Sequence, residues 1–305
     1  MGQPHNGLAL TSAAQKHAQR NRATLFVESG ILLGIEEFAG EQFIMRIRAP
    51  HSAANAKPGN FVHISCDESL PMRRPLSIMR VVDDGIDVLY KIAGHGLRLL
   101  ANHEPGDKIS ILGPIGLPFQ PNPARRRCLL LGGGVGIPPM VFLADVLRRD
   151  PDWQALAILG SEIPFPFALR TSSIATPWAG TGVDNTMPLL EDWGVPSRLT
   201  SMANFPGCYR GYVTDLAERW LQSVDDAELD SIQLFACGPT PMLKAVAALA
   251  AKYSLPCQVS LEEFMACAVG GCAGCAVEIT TPEGKAMKRV CVDGPVFEAD
   301  TVVWN

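Results

Sequence analysis

Residues 127–139 read Arg-Cys-Leu-Leu-Leu-Gly-Gly-Gly-Val-Gly-Ile-Pro-Pro, and the change of texture at this stretch sets the architecture. Residues 127–131 are an apolar run of strand length. Gly132, Gly133, Gly134 and Gly136 follow at once, and a helical pattern then runs to Arg149. Strand, glycine loop and helix in that order open a βαβ unit. Glycines at the helix entry leave bare backbone N–H groups facing outward, which suits a pyrophosphate. The run is not the G-x-G-x-x-G fingerprint, and a plain strand–turn–helix junction would read the same.

Downstream the alternation continues. Residues 155–159 read as a strand, 211–222 as a helix and 232–236 as a strand. A helix then runs from Thr240 to Lys252, with Thr240 as its cap and Pro241 in its first position. Alternating strands and helices imply a parallel sheet covered on both faces. Cys237, Gly238 and Pro239 end one of these strands at the carboxyl edge, where ligands of such sheets sit. Residues 161–200 hold many Pro, Ser and Thr and suggest three short elements of unassigned type.

Upstream the texture is all β. Short runs at 25–27, 43–48, 61–65, 76–82, 86–92 and 108–112 are punctuated by Pro, Gly and Asp, which indicates an antiparallel barrel or sandwich. One short helix is expected near 97–102. Within this region Arg74, Pro75, Leu76 and Ser77 stand out. An arginine fork suits phosphate, and a serine hydroxyl suits a flavin ring edge. Leu89, Tyr90 and Lys91 could help wrap a dinucleotide. Gly96, opening the short helix ahead of Leu97, would set a diphosphate at its positive end. A simple strand entry would contain the same Arg-Pro-x-Ser run.

Toward the C-terminus, residues 266–275 read Ala-Cys-Ala-Val-Gly-Gly-Cys-Ala-Gly-Cys, and a further thiol follows at Cys291. Cys267, Cys272, Cys275 and Cys291 thus stand as C-x4-C-x2-C, fifteen residues, then C. That is the plant-type [2Fe–2S] spacing, in which four thiolates hold two irons. Gly270, Gly271 and Gly274 permit left-handed or tight backbone. Small residues at Ala268 and Ala273 let amides approach the sulfurs. Structural zinc also takes four cysteines, but commonly as two short pairs. A disulfide framework fits poorly with nine cysteines and no secretory pattern. A hairpin turning at residues 282–284 is expected between the last two thiols.

The chain has 305 residues, 47% hydrophobic and 19% charged, enough for two domains and a small third. Its formal charge of −5 gives no basic field for nucleic acid or an anionic membrane. Residues 1–22 are polar without an apolar core of signal length, and the apolar run at 128–147 is broken by Gly and Pro. A cytoplasmic location is expected. Cys66, Cys128, Cys208 and Cys257 read as small buried residues. The six histidines show no metal spacing.

Taken in order, the three segments resemble the ferredoxin–NADP reductase superfamily, and within it the electron-transfer subunits of class 1B dihydroorotate dehydrogenases. Residues 74–77, the loop at 132–136 and residues 237–239 carry the wider resemblance. Residues 260–267, Ser-Leu-Glu-Glu-Phe-Met-Ala-Cys, and 289–297, Arg-Val-Cys-Val-Asp-Gly-Pro-Val-Phe, carry the narrower one. The resemblance implies an FAD-binding β-barrel over 23–122, an NAD-binding α/β domain over 123–255 and a [2Fe–2S] segment over 256–305, behind an extension at 1–22. It implies electrons passing from an FMN-containing catalytic subunit through the cluster and FAD to NAD(H), in a heterotetramer serving pyrimidine biosynthesis. No residue is expected to act as a strong acid or base. A related subunit serving a hydrogenase, a sulfide dehydrogenase or a ferredoxin-linked partner is the alternative. Leu97 stands where that family has a hydroxyl residue, and Asn60 where it has a glutamine. The long 161–205 segment leaves NAD against NADP open.

Overall fold

Strands with one apolar face must bury it, and the first six do so by closing on themselves. In the computed structural model, which describes residues 25–304, they are β1 (Phe26–Phe38), β2 (Gln42–Arg48), β3 (Phe61–Ile64), β4 (Arg74–Val82), β5 (Gly85–Lys91) and β6 (Lys108–Ile115). The extension expected over 1–22 lies outside the described residues. The barrel runs β1-β2-β5-β4-β3-β6 and is antiparallel throughout. Every second side chain enters its core: Met45 and Ile47, Ile86, Val88 and Tyr90, Ile109 and Ile111. Closure leaves no free edge. The short helix His95–Leu100 lays Leu97 and Leu100 on this core.

The second unit is built on β7 (Arg127–Gly133) and β8 (Gln154–Gly160). It continues through the small pair β9 (Arg170–Thr171) and β10 (Asn185–Thr186), then β11 (Ser197–Thr200), β12 (Ile232–Cys237) and β13 (Cys257–Ser260). The hairpin of β14 (Ala276–Thr281) and β15 (Gly284–Arg289) follows, and β16 (Val296–Glu298) closes the chain. The main sheet is ordered β11-β8-β7-β12-β13-β16. Its first five strands are parallel, and β16 is antiparallel to β13. Counted along the chain this is 3-2-1-4-5-6, the doubly wound order, whose ligand crevice opens where strand 1 meets strand 4. Residues 128–133 and all of β12 are buried, as strands covered on both faces must be.

The helix Ile137–Leu147 joins the two units. Phe142 enters the barrel core, while Met140, Val141 and Leu143 pack with Leu130 and Leu159 of the sheet. The barrel residues Met79 and Leu89 share that second cluster. After β6 the chain is pinned to the far strands: Leu117 N donates to Gly294 O at 2.6 Å, and Gln120 N to Gln258 Oε1 at 2.9 Å. Phe119 meets Phe235 edge-on at 5.5 Å.

Three helix starts differ from the sequence expectation. Thr240 is the first residue of the helix Thr240–Lys252, and the cap is Pro239, with no side-chain bond to the free amides. The helix expected at 211–222 begins at Val213, where Asp215 accepts the Tyr212 amide at 2.8 Å. The short barrel helix starts at His95 after Gly94, so Gly96 lies inside its first turn. Among the described residues no helix is long and apolar enough to cross a membrane.

Candidate functional site

The four cysteines are assembled by a register. In the β14–β15 hairpin Ala276 faces Arg289, so the residue before one strand lies beside the residues after the other. Val290 N donates to Cys275 O at 2.9 Å, and Cys275 Sγ lies 3.3 Å from Cys291 Sγ. The turn is the two-residue Pro282–Glu283 link. Cys267 and Cys272 form the second pair on the loop leading out of β13. Cys275 and Cys291 are buried, Cys267 is half-buried and Cys272 is exposed.

Backbone amides set the charge state of this loop. Burial opposes ionisation of Cys267, but the amides of Val269, Cys272 and Gly271 and the Cys272 thiol bring it down to about 7. Burial pushes Cys291 up to about 12, Cys275 and Cys267 push it the same way, and the Gly270 amide opposes them. Cys267 thus feels the Cys272 thiol, and Cys291 feels both Cys275 and Cys267. The left-handed positions are Gly270 at φ 81 and, unexpectedly, Ala268 and Ala273 at φ 55; Gly271 and Gly274 are not among them. Two thiol pairs lined by amides fit a binuclear cluster, each pair on one iron. Among the described residues no group of three or more His, Cys, Asp or Glu side chains closes on a single ion.

The two nucleotide segments meet at the strand 1–strand 4 crevice. Gly132 pairs with Cys237 across β7 and β12. A Cβ on Gly136 would overlap the Cys237 carbonyl and lie 2.5 Å from Gly238 N, so the two loops touch backbone to backbone. A Cβ on Gly133 would meet Met242 Sδ at 2.5 Å and Pro239 Cδ at 3.3 Å. Gly134 is left-handed at φ 55. Cys237 is fully buried, and its thiol lies 4.0 Å from Glu262 Oε1. Burial first, and the Glu262 charge second, raise that thiol well above its usual range, so it is no nucleophile at neutral pH. Glu262, the first residue past Leu261 on the way out of β13, is exposed as a residue, with its carboxylate reaching in beside that thiol. Sequence reading passed over it; its place beyond a parallel strand's carboxyl end was the available signal.

On the barrel, Arg74 and Gly96 are brought together: a Cβ on Gly96 would stand 3.1–3.3 Å from the Arg74 guanidinium. Arg74 is steadied by the Met72 and Arg73 carbonyls. Ser77, half-buried, pairs with Phe61, and Pro75 with His63. Leu76, Leu89, Tyr90 and Leu97 send their side chains into the cores, which leaves only their backbone to face a ligand. Lys91 is exposed. Arg73, the neighbour of Arg74 in sequence, is spent on the Ser110 carbonyl and hydroxyl.

Comparison with known proteins follows the same lines. The family model described as the iron-sulfur cluster binding domain of dihydroorotate dehydrogenase B matches residues 262–303. The dihydroorotate dehydrogenase B (NAD(+)) electron transfer subunit of Caldanaerobacter subterraneus subsp. tengcongensis is 32% identical over 247 residues, 81% of this chain and 87% of that protein. Its counterpart in Desulforamulus reducens is 30% identical over 90% of this chain and 97% of that protein. The one in Geobacillus thermodenitrificans is 35% identical over 81% and 87%. Among solved structures, an NADH-dependent reduced ferredoxin-NADP oxidoreductase overlays with a TM-score of 0.71 at 25% identity, covering 91% of this chain and 90% of that one. The ferredoxin reductase of carbazole 1,9a-dioxygenase gives 0.56 at 19% identity over 76% and 67%, a likeness of fold.

Proposed function

This chain belongs to the family of dihydroorotate dehydrogenase B electron transfer subunits, and from that premise we propose which of its residues carry the work. It is the NAD-linked component that couples a partner dihydroorotate dehydrogenase to NAD+ through an iron–sulfur cluster and FAD. When bound, FAD supplies the exchange between hydride pairs and single electrons, and the cluster supplies the one-electron relay. The observation that supports the reading is the hairpin register, which brings Cys275 Sγ to 3.3 Å from Cys291 Sγ, with Cys267 and Cys272 on the loop that leads into the hairpin from β13.

Cys267 and Cys272 would hold one iron, Cys275 and Cys291 the other. The Val269, Gly271 and Cys272 amides favour the thiolate form. Arg74, leaning on Gly96, would hold the FAD diphosphate, and Ser77 would bond the flavin edge. The loop at 132–136 and residues 237–239 would clamp the nicotinamide nucleotide, their mutual backbone contact fixing the width of the cleft. Cys237, fully buried, closes the cleft floor beneath them and transfers no proton.

Phe264 is 94% exposed and Val269 46%, both beside Cys267 in the sequence. Apolar side chains so open to water mark a contact surface, and we assign it to the FMN-bearing catalytic subunit, in a heterotetramer. We keep the working units at 23–122, 123–255 and 256–305, with β13 and β16 of the last unit lying in the sheet of the second. A cytoplasmic location suits thiols kept reduced for iron.

The test is co-expression with the catalytic subunit. Dihydroorotate should reduce NAD+ only when both chains are present. Absence of that coupling, in a complex carrying full flavin and iron, would refute the assignment.

A further inference from the structure

The hairpin that completes the thiol set also reaches back to the cysteine loop through a cation. β15 ends at Arg289, whose amide donates to Asp293 Oδ2 at 2.8 Å and whose Nε lies 3.4 Å from the same oxygen. That carboxylate stands on the short helix Val290–Asp293 and holds the guanidinium at the loop. There Nη1 donates to the Gly270 carbonyl at 2.9 Å.

The peptide at that contact has a second role. Gly270 O and the Gly271 N–H are opposite ends of one planar unit, so they point in opposite directions. The Gly271 N–H donates to the Cys267 sulfur. Guanidinium, peptide and thiol therefore form one chain of hydrogen bonds. Such bonds polarise one another, and a cation on the carbonyl strengthens the N–H···S bond at the other end. The Gly270 N–H, on the preceding peptide, donates to the Cys291 sulfur. Gly270 reaches this arrangement at φ 81, and a Cβ there would stand 3.2 Å from Arg289 Nη1. Asp293 offsets part of the arginine's charge, so the effect on sulfur runs chiefly through the peptide.

We propose that Arg289 is a positioning residue for the [2Fe–2S] centre, an inference that rests on the cluster reading of the four cysteines. It holds the 270–271 peptide with its N–H on Cys267 and so favours the reduced cluster. Reduction adds one negative charge that the sulfurs share. A donor aimed at sulfur before the electron arrives stabilises that state more than the oxidised one.

The experiment uses the complex of this chain with its catalytic subunit and follows the electron paramagnetic resonance signal of the reduced cluster against potential. Iron, sulfide and FAD are measured on each sample. Arg289→Met should lower the equilibrium constant for cluster reduction about tenfold, which for one electron is about 59 mV. Arg289→Lys, which keeps a charged donor, should return to within about threefold of wild type. Lys285→Met removes the same charge from the far end of β15, where Lys285 pairs with Glu278. It should move the constant less than about twofold, as a screened surface charge does. An Arg289→Met complex with full iron and an unchanged cluster potential overturns the proposal. So does a Lys285→Met shift as large as that of Arg289→Met, which would make the effect one of net charge. If Arg289→Met does not retain iron, Arg289→Gln replaces it as a neutral donor and should lie about threefold below Arg289→Lys. Equal constants for those two overturn the proposal. A wild-type complex with full FAD and no iron refutes the cluster reading itself, and the proposal falls with it.

Discussion

Gly270 shows how closely the thiol loop is specified. A Cβ there would lie 2.5 Å from Val292 Cγ2 and 3.2 Å from Arg289 Nη1. Arg289 Nη1 also donates to the Gly270 carbonyl at 2.9 Å, and its amide donates to Asp293 Oδ2 at 2.8 Å. Loop and final hairpin are therefore tied through one arginine. With Cys267 at about 7, its thiol ionises as pH rises through neutrality. In metal-free protein, alkylation at Cys267 should be half-maximal near pH 7 and fall about tenfold per unit below it. Cys291, up at about 12, should stay inert over that range; peptide mapping of the alkylated protein decides. Replacing the exposed proposed ligand, Cys272→Ser, should abolish the cluster's visible absorption while leaving FAD content within about twofold, since the flavin side shares none of its residues. The four candidate cysteines were legible from spacing alone. The left-handed backbone at Ala268 and Ala273 was not, because it depends on which amides must turn toward sulfur.

Among the elements, the β3 strand carries His63, buried with no partner for Nε2. Burial, reinforced by the Arg73 charge, lowers it to about 4 from an ordinary value of 6.5. The unfolded chain therefore binds the extra proton between those values and the folded chain does not. Stability from this group is complete above about pH 6.5 and is lost as pH falls toward 4, a change on the order of 3 kcal/mol. Denaturant melts from pH 7 to 4 should show that loss, and His63→Gln should flatten it. The contact between the glycine loop and β12 gives a second prediction. Gly136→Ala should cost roughly 1–3 kcal/mol by overpacking and weaken NADH binding, read by thermal melting and by titration. Strand alternation made the barrel readable, and the same alternation hid the fate of Leu89 and Tyr90, since a sequence does not say which side faces a ligand. The 161–200 segment resisted reading because tertiary polar contacts hold it: Glu191 accepts from Ser172 and Ser173, and Arg170 pairs with Asp192.

Across the whole molecule, the cluster hairpin is inserted between β13 and β16, two strands of the nucleotide sheet. The thiol loop thus leaves directly from the ligand edge, and the shared core around the helix Ile137–Leu147 holds barrel and sheet in one arrangement. The order of the three segments could be read along the chain, but this insertion could not, because β13 and β16 are only four and three residues long. If the face beside Cys267 meets the catalytic subunit, Phe264→Asp should weaken the complex by at least about tenfold. NADH-driven flavin reduction in the isolated chain should stay unchanged; analytical ultracentrifugation with a diaphorase assay reads both. The most direct measurement is metal, sulfide and flavin analysis of the purified complex, joined to its visible spectrum. Two irons and two sulfides per FAD are expected, with cluster absorption lost on substitution of any of the four cysteines. Zinc in that pocket, or a colourless chain that retains its fold, would contradict the account.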